Sequence, residues 1–269
     1  MRTKLSLVVL AVLSAALLGG CGGSGGATAS PAARPESLPS QIKAQGVLKV
    51  GTEGTYTPFS FHDPKTHELT GYDVDVARAV ASRLGVKAQF FETPFDAIFA
   101  GLEAERYDMI ANQISITPER LGKYDFSTPY TVSSGVVVTR SDVNSVKSLA
   151  DIKGKTSAQS VTSNFAQIAK AAGAKLEPVE GFTQAITLVK QKRVDMTIND
   201  KLAVLYYLKT TGDKGVKIAL EIGERTQQAL VFRKGSGLAA EVDKILASLR
   251  ADGTLTKISM TWFGADVTH

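Results

Sequence analysis

From Val47 onward the chain alternates between two hydrophobic rhythms. Short apolar runs such as "VLKVGT" and "VKAQFFE" predict strands, whereas "GYDVDVARAVASRL" and "FDAIFAGLEAER" carry the spacing of amphipathic helices. "DMIANQI" is strand-like again. The second half repeats the alternation with "GVVVTR", "GKTSAQS", a helix from "NFAQIAKAAG", then "KLEPVE" and a helix "KLAVLYYLKT". After "TGDKGVKIAL", the run "QQALVFRKGSG" predicts a strand returning to a sheet. Two amphipathic helices close the chain, "LAAEVDKILASLRADG" and "TLTKISMTWFG". Strands alternating with helices imply parallel strands joined by crossover helices.

The pattern contains an echo. Phe95 to Asn112 is "FDAIFAGLEAERYDMIAN", and 87 residues later Phe182 to Asn199 is "FTQAITLVKQKRVDMTIN". Phe, Arg, Asp, Met and Asn recur in register. Each copy runs from an amphipathic helix through Arg-x-Asp into an apolar strand, which suggests two lobes of similar construction. The expected fold class is therefore α/β and two-lobed, each lobe a mostly parallel sheet flanked by helices. Residues 41–133 plus 228–269 form lobe 1 and residues 134–227 form lobe 2. Two chain passes, near Val132–Gly135 and Glu224–Gln228, make a hinge with a cleft between the lobes.

The N-terminus has a different character. Arg2 and Lys4 precede the apolar run "LSLVVLAVLSAALL", which ends too soon to span a membrane and predicts a signal peptide over 1–20. "LGGC" resembles a lipobox, which makes Cys21 the lipidated first residue of the mature chain. Residues 21–40 are rich in Gly, Ser, Ala and Pro and predict a flexible tether. Cys21 is the only cysteine, so no disulfide forms within the chain. The formal charge is +5, or +3 once Arg2 and Lys4 leave with the signal peptide. The basic residues are scattered, which gives nucleic-acid binding little support.

In open α/β sheets, ligands gather where strands end and helices begin. In "QISITPER", Thr117 and Pro118 start a helix and put Arg120 in its first turn, where the helix dipole disfavours a cation. An external carboxylate held by Ser115, backbone N–H groups and Arg120 would reverse that sign; a surface pairing with Glu119 or Asp125 is the plain alternative. "SAQSVTSNF" places Thr162 and Ser163 before a helix, as an anion site or an ordinary cap. Asp200 in "VDMTINDKLAV" caps a helix or binds a cation across the cleft. In "VGTEGTYTPFSF", Glu53 follows a strand as a ligand-facing or a solvated carboxylate. Tyr56, with Phe95, is pocket wall or core. Together these residues supply what an α-amino acid zwitterion needs.

"GTEGTYTPFSFHD", "GYDVDVARAVASRLG", "NQISITPERLGKYDFSTPYTVS" and "ADGTLTKISMTWFGADV" together resemble the extracytoplasmic solute-binding proteins of ABC importers for polar amino acids. The resemblance runs from about Gly46 to the C-terminus. Within that family, "VGTEGTY", "GKTSAQSVTSNF", "RVDMTINDKLAVL" and "WFGADV" are most similar to the L-cystine-binding lipoproteins. It implies a type II periplasmic-binding-protein fold that closes on its ligand, with no catalysis and no cofactor or metal. It implies that Arg120, Ser115 and Thr162 hold the ligand carboxylate. Asp200 and the Gln113 carbonyl take the ammonium, Tyr56 and Phe95 sandwich the side chain, and Glu53 faces the distal end. Its implied partners are an amino acid, with cystine favoured, the permease subunits, and the membrane through a lipid on Cys21; the protein itself is expected to be a monomer. This chain departs from the pattern at Phe95, where many cystine binders have Trp, and at Val161, where many binders have Gly. A binder of glutamine, glutamate or a basic amino acid is the alternative within the class. A dehydratase of amino-acid precursors on the same fold is the alternative outside it, although no Ser-His-Asp set accompanies His62, His67 and His269.

Overall fold

The structure is a computed structural model that describes residues 37–269. The signal segment, Cys21 and almost all of the tether lie outside the described residues. The described chain opens with α1 (Leu38–Gln45) and β1 (Val47–Thr52). A small sheet follows, made of β2 (Thr55–Tyr56), β3 (Ser60–His62) and β4 (Leu69–Thr70). Next come α2 (Tyr72–Leu84), β5 (Lys87–Glu92), α3 (Phe95–Glu103), β6 (Met109–Ile110), α4 (Pro118–Lys123) and β7 (Tyr124–Phe126). The long β8 (Thr131–Arg140) leads through a 3-10 turn at Leu149–Ile152 to β9 (Thr156–Gln159), α5 (Asn164–Ala171), β10 (Lys175–Pro178) and α6 (Phe182–Lys190). Then follow β11 (Met196–Asp200), α7 (Lys201–Thr211), β12 (Val216–Gln228), β13 (Val231–Arg233), α8 (Leu238–Ala251) and α9 (Thr254–Phe263).

The expected tether overruns the fold by a few residues. Residues 38–40 belong to α1, because Pro39 sits in the first turn, where its missing N–H costs nothing, and Ile42 one turn on is buried. The strands form two five-stranded sheets, in the orders β5-β1-β6-β13-β7 and β10-β9-β11-β8-β12. The crossover half of each is parallel, as expected: β1 against β5 and β6, and β9 against β10 and β11. The other half is antiparallel. β13 runs against β6 and β7, and β8 runs against β11 and β12. Those strands belong to the passes that cross between sheets, so no crossover helix reverses them and they meet their neighbours head to tail.

The two passes lie side by side. β8 and β12 pair from Thr131 opposite Gln228 to Arg140 opposite Val216, with a register irregularity between Ile222 and Thr226. Apolar packing follows the rhythm of the sequence. α2 buries Tyr72, Val76, Val80 and Leu84, one turn apart, against a core that takes in Leu48 and Val50 of β1. The same core continues through Val136 and Val138 of β8 to Phe182 and Ile186 of α6. Gly51 in β1 is required by packing: a Cβ there would stand 2.5 Å from the Tyr107 ring. That close approach lets β1 run straight into Glu53.

Candidate functional site

Four of the expected site residues, Glu53, Tyr56, Phe95 and Gln113, line one cavity together with residues of the second half. A cavity of about 50 Å³ is lined by Glu53, Tyr56, Phe95 and Gln113 from the first half, and by Ser163, Asn164 and Asn199 from the second. Thr117 caps α4, accepting from the Arg120 N–H at 3.3 Å. This turns the Arg120 side chain inward, where it is 8% exposed. Its Nη1 donates to the Ser115 carbonyl at 3.0 Å and to Asn164 Oδ1 at 3.4 Å. The guanidinium carbon lies 5.2 Å from the Phe99 ring centre and 5.9 Å from that of Phe95. Neither expected acid pairs with it: Glu119 bonds Lys123 and Gln167, and Asp125 accepts from the Gly235 N–H. Among the described residues Arg120 forms no ion pair. Burial pushes its pKa down to about 10, so it is still a cation at neutral pH.

The acidic side of the site is equally unpaired. Glu53 is held by Asn112, which donates from Nδ2 to Oε2 at 2.6 Å and accepts the Glu53 N–H at 2.9 Å. Asp200 caps α7 through the Leu202 N–H at 2.8 Å and also accepts from the Ser133 hydroxyl at 2.8 Å. It therefore does cap, and it is also buried, at 3% exposed. Asp73, at the start of α2, accepts from the Tyr130 hydroxyl at 2.8 Å, while its Oδ2 is buried without a partner. None of these carboxylates has a cationic partner among the described residues. Burial pushes Glu53 and Asp73 up to about 7 and Asp200 up to about 6, against the lowering effect of their hydrogen bonds. The acids also raise one another, since the charges of Asp200 and Glu53 both bear on Asp73.

Tyr56 and Phe95 both line the cavity, and Tyr56 also bridges the sheets. Its hydroxyl donates to Asn199 Oδ1 at 2.7 Å. Gln113 occupies the left-handed region, with φ of +50°. Ser115 is buried beside Arg120, and its hydroxyl accepts from Asn164 Nδ2 at 3.5 Å. Ser163 caps α5, accepting from the Ala166 N–H at 3.0 Å. Thr162, like Arg120, Ser115 and Asp200, is not among the residues that line the cavity. Its N–H and hydroxyl donate to Asp96 Oδ1 at 2.9 and 2.7 Å, and the Val161 N–H donates to Asp96 Oδ2 at 3.2 Å. The physical reason is that Asp96 opens α3 directly across the cleft mouth and takes the donors that an exogenous carboxylate would need. Asp96, Asn112, Asn164, Asn199 and Asp73 were not singled out from sequence. The register of the echo was the available signal for Asn112 and Asn199, because these are its two recurring asparagines.

The two sheets are in contact across this site, through Tyr56–Asn199, Asp96–Thr162, Arg120–Asn164 and Glu119–Gln167. Chemically, the arrangement combines a buried cation with buried acids around a cavity lined by Tyr56 and Phe95. Among the described residues no three His, Cys, Asp or Glu side chains are placed to hold a metal ion. Nor is any described helix long and apolar enough to cross a membrane.

A fold of this kind with a zwitterion-shaped charge pattern defines a class, the two-lobed solute-binding proteins of the type II fold. The chain belongs to the bacterial extracellular solute-binding proteins, family 3, whose family model matches residues 48–265, and its role is binding rather than catalysis. It is 54% identical over 265 residues to the L-cystine-binding protein TcyA of Bacillus subtilis (strain 168), covering 98% of each chain. It is 48% identical to the L-cystine solute receptor of Neisseria gonorrhoeae in its unliganded open conformation, over 87% of this chain and 99% of that one, with a TM-score of 0.58. An ancestral arginine-binding protein bound to arginine is 37% identical over 81% of this chain and 98% of its own, with a TM-score of 0.76.

The raised carboxylates make stability depend on pH in a defined direction. Their folded pKa values exceed their unfolded ones, so their contribution is complete below about pH 4 and is lost as pH rises through about 6 to 7. The thermal midpoint of unliganded protein should therefore fall between about pH 5 and about pH 8, and Glu53→Gln combined with Asp200→Asn should flatten the fall. A midpoint difference between wild type and variant that does not change across that range would remove the assignment.

Proposed function

We propose that this protein captures L-cystine outside the cytoplasmic membrane and delivers it to the permease of an ABC importer. One observation carries the reading: Arg120, bonded to the cavity-lining Asn164, and Asp200, next to the cavity-lining Asn199, are both buried without an ion pair, and Glu53 lines the same cavity without a cationic partner. Leaving charges buried and uncompensated costs several kcal/mol each. A ligand that is itself a zwitterion compensates both poles at once.

In this reading Arg120 and Ser115 grip one α-carboxylate, while Asp200 and the Gln113 carbonyl take the neighbouring ammonium. Tyr56 and Phe95 sandwich the body of the ligand. Glu53 receives the distal ammonium, held in place by Asn112. Thr162 joins the two sides instead of touching the ligand, since its donors are committed to Asp96. Cys21 carries the lipid that keeps the monomer at the membrane. The ligands named for the relatives, L-cystine in two of them, support the choice of substrate. A cationic amino acid is the second reading, favoured by Glu53 and by the arginine-bound neighbour.

Calorimetry against cystine, arginine, glutamine and glutamate separates these readings. Cystine should bind with a dissociation constant on the order of micromolar or below, near −8 kcal/mol, and glutamate at least ~100-fold more weakly. Arg120→Ala should weaken cystine by ~2–5 kcal/mol, because the buried carboxylate loses its charged partner. Glu53→Gln should weaken cystine more than glutamine. Tight glutamate binding sinks the cystine assignment, and arginine bound more tightly than cystine selects the second reading.

The lobes are residues 41–133 plus 228–269 and residues 134–227, and they rotate about the passes near Val132–Gly135 and Glu224–Gln228. The register irregularity of β12 between Ile222 and Thr226 falls against the second pass, where a paired strand bends most easily. Small-angle scattering should give a smaller radius of gyration with cystine than without. Asp96→Asn should shift the unliganded protein further toward the open form, since it weakens a charged acceptor that is used only when the cleft is shut. An unchanged profile at saturating cystine would count against closure.

A further inference from the structure

Two neighbouring amides after β6 are used in opposite ways. Asn112 is fully committed: Oδ1 accepts from the Glu53 N–H and from Thr52 Oγ1, and Nδ2 donates to Glu53. Gln113 lines the same cavity and is only 7% exposed, yet neither Oε1 nor Nε2 has a hydrogen-bond partner. A buried amide with both ends unpaired is strongly unfavourable. Its backbone is held at φ of +50°, a region that non-glycine residues occupy only when the surroundings enforce it. Methionine has the same reach without that desolvation penalty, so a purely structural role does not call for glutamine.

The ligand supplies the missing account. The inference rests on the cystine reading above. Cystine has a second carboxylate; with Arg120, outside the lining, assigned to the first, the cavity lining offers no further Lys or Arg for the second. That carboxylate must therefore be met by neutral donors. Among the lining amides, the NH₂ groups of Asn112, Gln159 and Asn164 already donate to protein oxygens, and Asn199, whose Oδ1 accepts from Tyr56 and from the Asp200 N–H, is only half-buried, so Gln113 is the one whose NH₂ is buried without a partner. We propose that the Gln113 side chain is the specificity contact for the far end of the ligand. Its Nε2 donates to the distal carboxylate, beside the distal ammonium on Glu53. The residue then serves both ends of cystine, through its backbone carbonyl at the near ammonium and its side chain at the far carboxylate.

The test compares wild type and Gln113→Met by calorimetry with a graded set of disulfides. These are L-cystine, the mixed disulfide of L-cysteine with cysteamine, which lacks only the distal carboxylate, and that with methanethiol, which lacks both distal charges. Gln113→Met should weaken cystine ~10- to 100-fold and leave the two mixed disulfides within ~3-fold, as expected when a buried donor meets only one of three ligands. Gln113→Glu, close in shape, should weaken cystine further than Gln113→Met by repelling the carboxylate, and should spare the cysteamine disulfide. It also carries the test if the methionine variant fails to fold. Equal losses for all three ligands, or an undiminished affinity for cystine, overturn the proposal. If wild type binds the arginine of the previous panel and none of these disulfides, the cystine reading falls and this contact with it.

Discussion

The structure depends on a guanidinium that is kept buried without a counter-ion. A protein can hold a buried charge by pairing it or by surrounding it with oriented neutral dipoles. Around Arg120 only the second is used: a carbonyl from Ser115, an amide oxygen from Asn164 and the faces of Phe95 and Phe99. The acids that flank it in sequence, Glu119 and Asp125, are drawn off to other partners. The helix start at Thr117-Pro118 fixes the position, because the capped first turn of α4 aims the third helical residue back over its own strand. Under the proposed reading, the awkward placement of a cation near a positive helix end serves an anion received there.

Closure follows from the same arrangement. The cation is anchored to the first sheet and Asp200 to the second, so in the proposed reading a ligand bearing both charges is fully satisfied only when the sheets approach. Contacts made without the ligand help at the rim. Asp96 reaches three donors across the cleft, and Tyr56 reaches Asn199. These are hydrogen bonds at a wet edge, each worth about 1 kcal/mol net and up to about 3 where a charge takes part. In the proposed reading they bias the hinge without deciding it, and the charge pairing made by the ligand in the dry interior is the larger effect.

Much of this was legible in the sequence. Periodicity gave the crossover strands and helices, because each buries one face and must carry its apolar residues at the matching spacing. Arg120, Asp200, Glu53 and Tyr56 stood out because each sits at a strand end with chemistry that local structure alone does not explain. The partners did not stand out. Asn112, Asn199, Asn164 and Ser133 act on residues dozens of positions away, and an asparagine after a strand has many ordinary uses. Only the echo marked two of them. Thr162 was assigned by position in a motif, and nothing in the sequence says that Asp96 faces it. The antiparallel half of each sheet was missed for a similar reason, since strand direction there is set by passes between sheets and not by local pattern.

The choice of neutral partners is itself part of the design. A lysine beside Glu53 or Asp200 would hold either acid in place and lower its pKa, but it would also occupy the position the ligand's ammonium needs. Binding would then have to break an existing ion pair, and the gain would be the small difference between two similar pairings. Asn112, Ser133 and Tyr130 instead fix the carboxylates by hydrogen bonds and leave their charge uncompensated, so the acids sit high in pKa until a cation arrives. The same reasoning applies to Arg120, held by a carbonyl and an amide. Stability of the empty protein is reduced at neutral pH by these unpaired groups, and a ligand that compensates them recovers part of that reduction, less the cost of its own desolvation. Holding charge in place without neutralising it is what makes the site both rigid and receptive.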